Sequence, residues 1–298
     1  MSNALTIRTE GQEQQTLIPA LGVAAGFSSS FLGIGGGLLL VPILTVFLGC
    51  PIKRAVGTSL VTVVIISLAG VLAEWEVNGA HIRWTWALVL SAGSLLGSAL
   101  GGRIISRIPD TPLRLALAGV LLLSSVRMAA GSLGPQGALA DLITGAPAVE
   151  HLLVLLVGIV AGLTSVLFGL GNGIVTVPGL ALFCSDLPFN AIRGTSLAAI
   201  LIVAALGAHQ HSRLGNVDAR LVKALVPSGL AGAVLGVIAA NVLPVRLCQV
   251  AFGALLVVVA FRLLSEVFHP GGVNPHGNTR PWSSPVGRGG QRADVNTP

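Results

Sequence analysis

The chain has 298 residues, of which 53% are hydrophobic and 9% are charged, and its formal net charge is +6. Soluble domains carry about 25% charged residues, so this composition excludes an ordinary water-soluble protein and indicates a polytopic membrane protein with the lipid bilayer as a partner. The excess of cations does not indicate a nucleic-acid partner, because Lys and Arg occur singly or in pairs at the ends of apolar runs, where membrane proteins place them.

Residues 1–16 are polar and lack the basic start, short apolar core and cleavage site of a signal peptide, so the first span is expected to act as an uncleaved targeting signal. A spanning helix needs about 20 apolar residues. The uncharged runs that follow predict an all-α polytopic membrane protein with about eight transmembrane segments. These runs are 17–48, 55–73, 84–102, 115–126, 152–185, 194–208, 224–245 and 247–261.

The chain contains an internal duplication. Residues 22–47 and 158–183 are identical at 11 of 26 positions without a gap, and residues 51–60 correspond to 188–197. The predicted organisation is therefore two homologous four-segment repeats, whose first segments are broken by glycine and proline. We place the repeats at 17–131 and 148–268, with a linker at 132–147 and a disordered tail at 269–298. Parallel and inverted repeats fit the sequence equally well.

A glycine cluster and a proline interrupt the first apolar run of each repeat. The run 17–48 would be about 48 Å long as a straight helix, whereas the hydrocarbon core is about 30 Å thick. Each glycine costs a helix about 1 kcal/mol relative to alanine, and proline about 3 kcal/mol. We predict a helix up to about Phe31, an irregular glycine turn and a second short helix entered near Leu39. The interrupting residues are Gly33, Gly35, Gly36, Gly37 and Pro42, and then Gly169, Gly171, Asn172, Gly173 and Pro178.

Such a break exposes amide N–H groups and a positive dipole end, which attract anions. Glycine motifs in membrane helices more often permit close packing between helices. Here, however, the motif occurs at matching places in two repeats, which is typical of a transporter's binding site. Each copy also follows a hydroxyl pair, Ser28-Ser29 or Thr164-Ser165. Nucleotide binding is not favoured, because no Lys-Ser or Lys-Thr follows the glycines.

A second repeated motif begins the following apolar run in each half. It is Gly-Thr-Ser, with hydroxyls at Thr58, Ser59, Thr195 and Ser196. At the start of a helix these side chains would offer neutral donors to an anion, although such hydroxyls often bond back to their own helix instead. Arg54 or Arg193 stands within a turn before each motif. Because the two arginines do not align, we rank them below the hydroxyls.

Few titratable side chains lie near the apolar runs. Glu74 aligns with His211, and His209 is close by, so these three residues are a candidate cluster for coupling transport to an ion gradient. The alternative is that they are interfacial groups beside Trp75, Trp84 and Trp86, which resemble an aromatic belt.

The sequence offers no catalytic or metal-binding pattern. Cys50, Cys184 and Cys248 are scattered, and their spacing matches neither disulfides nor a metal site, so we expect them to pack as small apolar side chains. No motif for a nucleophile or a metalloprotease is present. We predict no cofactor and no enzymatic activity.

The paired glycine motifs, each followed by Gly-Thr-Ser-Leu, resemble the signature of the sulfite exporter TauE/SafE family of permeases. The resemblance covers residues 15–268 and implies a secondary transporter of the plasma (inner) membrane for small anions such as sulfite or organosulfonates. We expect alternating access about a site where the two glycine breaks meet, and possible homo-oligomers. Asn172 stands where the first copy has Gly36, so the two half-sites are unequal. The alternatives are an anion-selective channel and a membrane scaffold without transport.

Overall fold

In the computed structural model, the described residues are 18–78, 82–104, 110–130, 147–168, 172–183 and 187–268. These ranges contain helices and no strand, which confirms the all-α prediction. The polar N-terminus, the tail and almost all of the predicted linker lie outside them. The helices are α1 (Ile18–Leu32), α2 (Gly37–Pro42, continued by a π-helical turn over Ile43–Phe47), α3 (Ile52–Asn78), α4 (Trp84–Ile104), α5 (Asp110–Ala130), α6 (Pro147–Phe168), α7 (Gly173–Phe183), α8 (Phe189–Arg213), α9 (Ala219–Val242) and α10 (Val245–Phe268).

Five of the described helices, α3, α4, α8, α9 and α10, are long and apolar enough to cross a membrane. Shorter apolar helices accompany them in α1, α5, α6 and α7. Large apolar side chains are exposed on the outer faces, among them Leu123 at 64%, Val126 at 65% and Phe261 at 72%. Exposing so much apolar surface to water is unfavourable, whereas contact with lipid is not. The fold is that of a multi-pass membrane protein.

The first two helices form a hairpin rather than a single crossing. Residues 33–36 are not helical, and α2 begins at Gly37. A Cβ on Gly36 would lie 3.2 Å from the carbonyl oxygen of Ala25, two turns before the end of α1. Helix α7 folds back along α6 in the same way. A Cβ on Gly179 would lie 2.5 Å from Val157 Cγ1, which belongs to the middle of α6. In both cases the second helix runs back beside the first.

Helices α3 and α8 pack against each other in opposite directions. Gly57 near the start of α3 lies beside His211 near the end of α8, where a Cβ would be 3.1 Å from His211 Cβ. At the other end, a Cβ on Gly194 would lie 3.2 Å from Glu74 Cγ. The pair is antiparallel along its whole length.

The first helix of each half packs instead in parallel with a helix of the other half. For α1 and α9, a Cβ on Gly26 would lie 2.0 Å from the carbonyl oxygen of Gly229, and one on Gly236 would lie 2.5 Å from that of Phe27. For α6 and α4, a Cβ on Gly162 would lie 2.0 Å from the Ser94 carbonyl oxygen. These glycines allow the helix backbones to approach closely, which is the packing role that glycine commonly has in membrane helices.

Further helix contacts between the halves also come in matching pairs. Helix α3 contacts α9, and α4 contacts α8. Helices α5 and α10 contact each other, with Gly253 beside Ser125. Each of these contacts between the halves therefore has a counterpart when residues 17–131 and 148–268 are exchanged.

Local sequence explains where α8 and α9 meet. Helix α8 ends before Gly215, whose φ of +69° suits glycine. The N–H of Asn216 then donates to the His211 carbonyl oxygen at 3.0 Å. Asp218 caps α9, because its carboxylate accepts hydrogen bonds from the N–H groups of Arg220 and Leu221. The chain thus reverses direction within a few residues.

Cys50 and Cys248 are free and buried, which confirms for these two the prediction that they pack as apolar side chains. Burial, with a smaller contribution from the charge of Asp218, raises the pKa of the Cys50 thiol to about 11. The thiol is therefore protonated at neutral pH. Cys184 lies outside the described residues.

The contact between α4 and α6 predicts the effect of adding one methyl group. In the Gly97→Ala variant the new Cβ would meet the Ile159 carbonyl oxygen at 2.0 Å, so the helices must separate. We expect a loss of about 1–3 kcal/mol in unfolding free energy. Gly119→Ala is the matched control, because nothing lies within 4 Å of that Cβ and alanine is the better helix former. Thermal unfolding in detergent measures both variants, and equal midpoints would contradict the packing described.

Candidate functional site

The first glycine break packs directly against the start of α8. Gly33 and Gly35 have φ values of +71° and +73°, which other residues rarely adopt. A Cβ on Gly33 would lie 2.7 Å from Arg193 Cγ and 3.1 Å from Arg193 Cα. The Ser196 hydroxyl donates to the Gly33 carbonyl oxygen at 2.7 Å. Both the conformation and the space at Gly33 therefore require glycine.

The first break also contacts the start of α7. A Cβ on Gly173 would lie 2.2 Å from Ile34 Cα, so the first residue of α7 contacts the middle of the first break. Asn172 precedes α7, and its carbonyl oxygen accepts hydrogen bonds from the N–H and the hydroxyl of Thr176. Asn172 is 8% exposed, and its side-chain oxygen has no hydrogen-bond partner within the described ranges. The region where the two segments meet is buried and carries polar groups.

An ion pair lies beside the first break. Arg193 of α8 donates through Nη2 to the carboxylate of Glu74 on α3, and the two side chains are 0% and 1% exposed. The Nε and Nη1 atoms of Arg193 have no hydrogen-bond partner among the residues that the structure describes. Arg193, which the sequence ranked below the hydroxyls, is thus a fully buried side chain beside the first break. Glu74 is likewise buried within the protein, as the partner of Arg193.

Polar residues continue along the facing sides of α3 and α8. Ser67, Gly70 and Glu74 follow helical spacing on one face of α3, as do Arg193 and Ser196 on α8. The Ser30 hydroxyl of α1 reaches this face, because a Cβ on Gly70 would lie 2.6 Å from Ser30 Oγ. The hydroxyls of Ser30 and Ser67 are fully buried and, in the described part of the chain, have no hydrogen-bond partner. We call the meeting point of α1, the first break, α3, α8 and the start of α7 the junction.

The threonines of the two Gly-Thr-Ser motifs bond to loops of the opposite half. The Thr58 hydroxyl accepts from the N–H of Asp218 at 2.9 Å, and the Thr195 hydroxyl accepts from the N–H of Arg83 at 3.1 Å. The serines instead face the first hairpin. Ser196 bonds to Gly33, and Ser59 Oγ would lie 3.7 Å from a Cβ on Gly37. The structure thus brings the serines, rather than the threonines, to the junction.

The other predicted hydroxyls divide into two groups. Ser28 donates to the Ala24 carbonyl oxygen at 2.6 Å, and Thr164 to that of Val160 at 2.9 Å, so both bond back to their own helices. Ser29 is buried without a hydrogen-bond partner among the described residues, and Ser165 is half-buried. Pro42 and Pro178 lie inside α2 and α7. Gly169 and Gly171 lie outside the described residues.

Glu74 does not form a cluster with His209 and His211. Because α3 and α8 are antiparallel, Glu74 lies beside Gly194 and His211 beside Gly57, at opposite ends of the pair. The 17 residues from Gly57 to Glu74 correspond to about 25 Å along a helix. The expectation of one titratable cluster was therefore wrong, since it assumed that aligned positions in two repeats would be neighbours.

The three tryptophans of the predicted aromatic belt differ in their exposure. Trp75 and Trp84 are exposed at 46% and 43%, with ring centroids 6.4 Å apart. Trp86 is buried at 7%, and the Arg83 guanidinium lies 5.6 Å from its ring. Only the first two can belong to an aromatic belt.

Known membrane proteins are similar to this chain over most of its length. The family model described as "Sulfite exporter TauE/SafE" matches residues 3–128 and 154–290. A "Probable membrane transporter protein" of Xylella fastidiosa is 28% identical over 265 residues, covering 84% of this chain and 95% of that protein. No solved structure shows significant similarity to the chain.

Two further relatives carry the same kind of name. A probable membrane transporter protein of Methanocaldococcus jannaschii is 31% identical over 171 residues, which cover 56% of this chain and 61% of that protein. One of Bacillus subtilis is 28% identical over 223 residues, covering 74% and 87%. The family and these relatives indicate a membrane transporter. With the family match extending over both halves, the chain belongs to the sulfite exporter TauE/SafE family.

Proposed function

We propose that the protein is a secondary transporter that moves a small oxyanion, sulfite or an organosulfonate, across the plasma (inner) membrane by alternating access. The observation that carries this proposal is the contact between Ile34 and Gly173, where two interrupted helices meet among buried polar groups. Non-helical backbone is tolerated at membrane depth only where protein buries it or water reaches it. Paired interruptions in two repeats are typical of transporter binding sites.

The proposed substrate site is the junction. The backbone N–H groups of residues 34–36, the hydroxyl of Ser29 and the side-chain N–H groups of Asn172 would contact the anion. The Ser196 hydroxyl donates to the Gly33 carbonyl oxygen and would hold the first break in place. Neutral donors of this kind bind an anion without the large cost of burying several charges. The start of α7 adds a positive helix end on the side of Asn172. The threonines at positions 58 and 195 would hold the surrounding loops rather than the substrate.

The helix contacts support an inverted relation between the repeats. Each hairpin turns back, α3 runs antiparallel to α8, and α1 and α6 run parallel to α9 and α4 of the opposite half. A twofold axis perpendicular to the helices relates these pairs in this way. We infer that repeats 17–131 and 148–268 have opposite orientations in the membrane. Alternating access then follows from one repeat rocking against the other about the junction.

Anion binding is expected to stabilise the purified protein. A ligand at 100 times its dissociation constant adds about 2.7 kcal/mol to the unfolding free energy. A thermal-shift screen with sulfite, sulfate, thiosulfate, sulfoacetate and nitrate should therefore show a raised midpoint with at least one oxyanion, and potassium chloride at equal ionic strength is the control. No shift with any of them, together with no saturable uptake into proteoliposomes, would refute the proposal. Single-channel conductance steps would indicate a channel instead.

Gly33→Ala is expected to reduce transport in proteoliposomes by about tenfold or more, because a methyl group there displaces the break from Arg193. Gly49→Ala is the matched control. Gly49 also has a positive φ, of +62°, but nothing lies within 4 Å of its Cβ position. Both variants carry similar backbone strain, so a difference in transport reports on the contact that Gly33 makes with Arg193. If both insert normally and lose equal amounts of transport, the site does not lie at the first break.

A further inference from the structure

We propose that Arg193 is the cationic ligand of the transported anion and that Glu74 holds its guanidinium in position. This inference rests on the proposed transport function and assigns the charged residue of the same site. It gives the site one strong anion ligand among otherwise neutral donors.

The hydrogen bonding of Arg193 is incomplete in a way that points to a missing acceptor. A guanidinium carries five N–H bonds, and three of them lie on Nε and Nη1. Both nitrogens are buried without a hydrogen-bond partner in the described residues, while Nη2 alone contacts Glu74. Buried donors in proteins are almost always satisfied. An oxyanion would satisfy these, because its oxygens match the planar donors of arginine.

The position of Arg193 supports the same assignment. The backbone and the side-chain stem of Arg193 pack against Gly33, which has no side chain. Arg193 therefore lies directly beside the first break. The junction also contains the fully buried hydroxyls of Ser30 and Ser67, which can donate to an anion and have no hydrogen-bond partner among the described residues. The planar edge of a guanidinium meets two oxygens of a sulfite or sulfonate group, so the third oxygen would accept from other donors such as these hydroxyls.

Glu74 has a separate role, which is to position Arg193. A fully buried guanidinium without a counter-ion would be strongly destabilising, so Glu74 neutralises it when no anion is bound. Since the carboxylate occupies Nη2, it orients the other two nitrogens away from itself. Its charge also repels an incoming anion, which keeps binding reversible.

The position related to this ion pair by the repeat, between the start of α3 and the end of α8, lacks such a pair. In the alignment of residues 51–60 with 188–197, Arg193 corresponds to Val56, and Glu74 corresponds to His211 in the same register. One transporter therefore has one arginine ligand, displaced toward one side of the proposed twofold axis. We expect one anion to be bound per chain.

The test separates a ligand from a purely structural ion pair. The double variant Glu74→Leu/Arg193→Met replaces both charges with apolar side chains, which proteins often tolerate. We expect it to insert and unfold cooperatively, but to lose the thermal shift with sulfite and with sulfoacetate and to lose uptake of both. Arg54→Gln is the control, because Arg54 precedes the other Gly-Thr-Ser motif but is exposed. This control should retain the wild-type shift and uptake.

Arg193→Lys keeps the inference testable if the double variant does not fold. Lysine preserves the charge and the ion pair with Glu74 but lacks the planar fork. We expect sulfite affinity to fall by about tenfold or more, as for loss of hydrogen bonds to a charged group. Wild-type affinity in Arg193→Lys, or a wild-type shift in the double variant, would overturn the assignment of Arg193. Absence of any shift or uptake in the wild type would instead overturn the transport function itself.

Discussion

The architecture depends on two glycines at which segments of the backbone come into close contact. Gly33 lets the end of α1 lie against Arg193 of α8, and Gly173 lets α7 begin against Ile34. A larger residue at either position would force apart segments that now share a buried polar region. In lipid, interrupted helices need such partners, because the bilayer core offers no water to their free backbone groups. The contact between the breaks therefore makes each interruption tolerable.

Glycine serves a second purpose where whole helices meet. Along α1–α9 and α4–α6, glycines on both partners bring backbones within contact distance, with Gly26 facing Gly229 and Gly162 facing Ser94. These contacts join the first helix of one half to the other half, so the halves interlock rather than stand side by side. Interlocking explains how Ser196 in the second half can bond to Gly33 in the first. The junction contains residues from both halves for the same reason.

The sequence predicted the composition of the junction better than its arrangement. The position of the first break follows from its glycines, and α1 ends at Leu32, one residue from the expected end at Phe31. The prolines do not interrupt the helices as expected, because Pro42 lies inside α2 and Pro178 inside α7. The pairing of Glu74 with Arg193 could not be predicted, because it depends on α3 and α8 running antiparallel. A single crossing by residues 17–48 would have made the repeats parallel. The first half instead forms a hairpin that brings Gly36 beside Ala25, and the second half forms one that brings Gly179 beside Val157.

Hydrogen–deuterium exchange across the junction tests the central claim most directly, since it reports on the backbone N–H groups of the breaks themselves. Peptides containing residues 33–37 and 172–175 would be followed by mass spectrometry in detergent, with and without saturating sulfite or sulfoacetate. We expect both peptides to exchange more slowly with the anion, while peptides from the exposed face of α10 remain unchanged. An anion that binds and stabilises the protein without slowing exchange in either peptide would show that the broken segments are not its binding site.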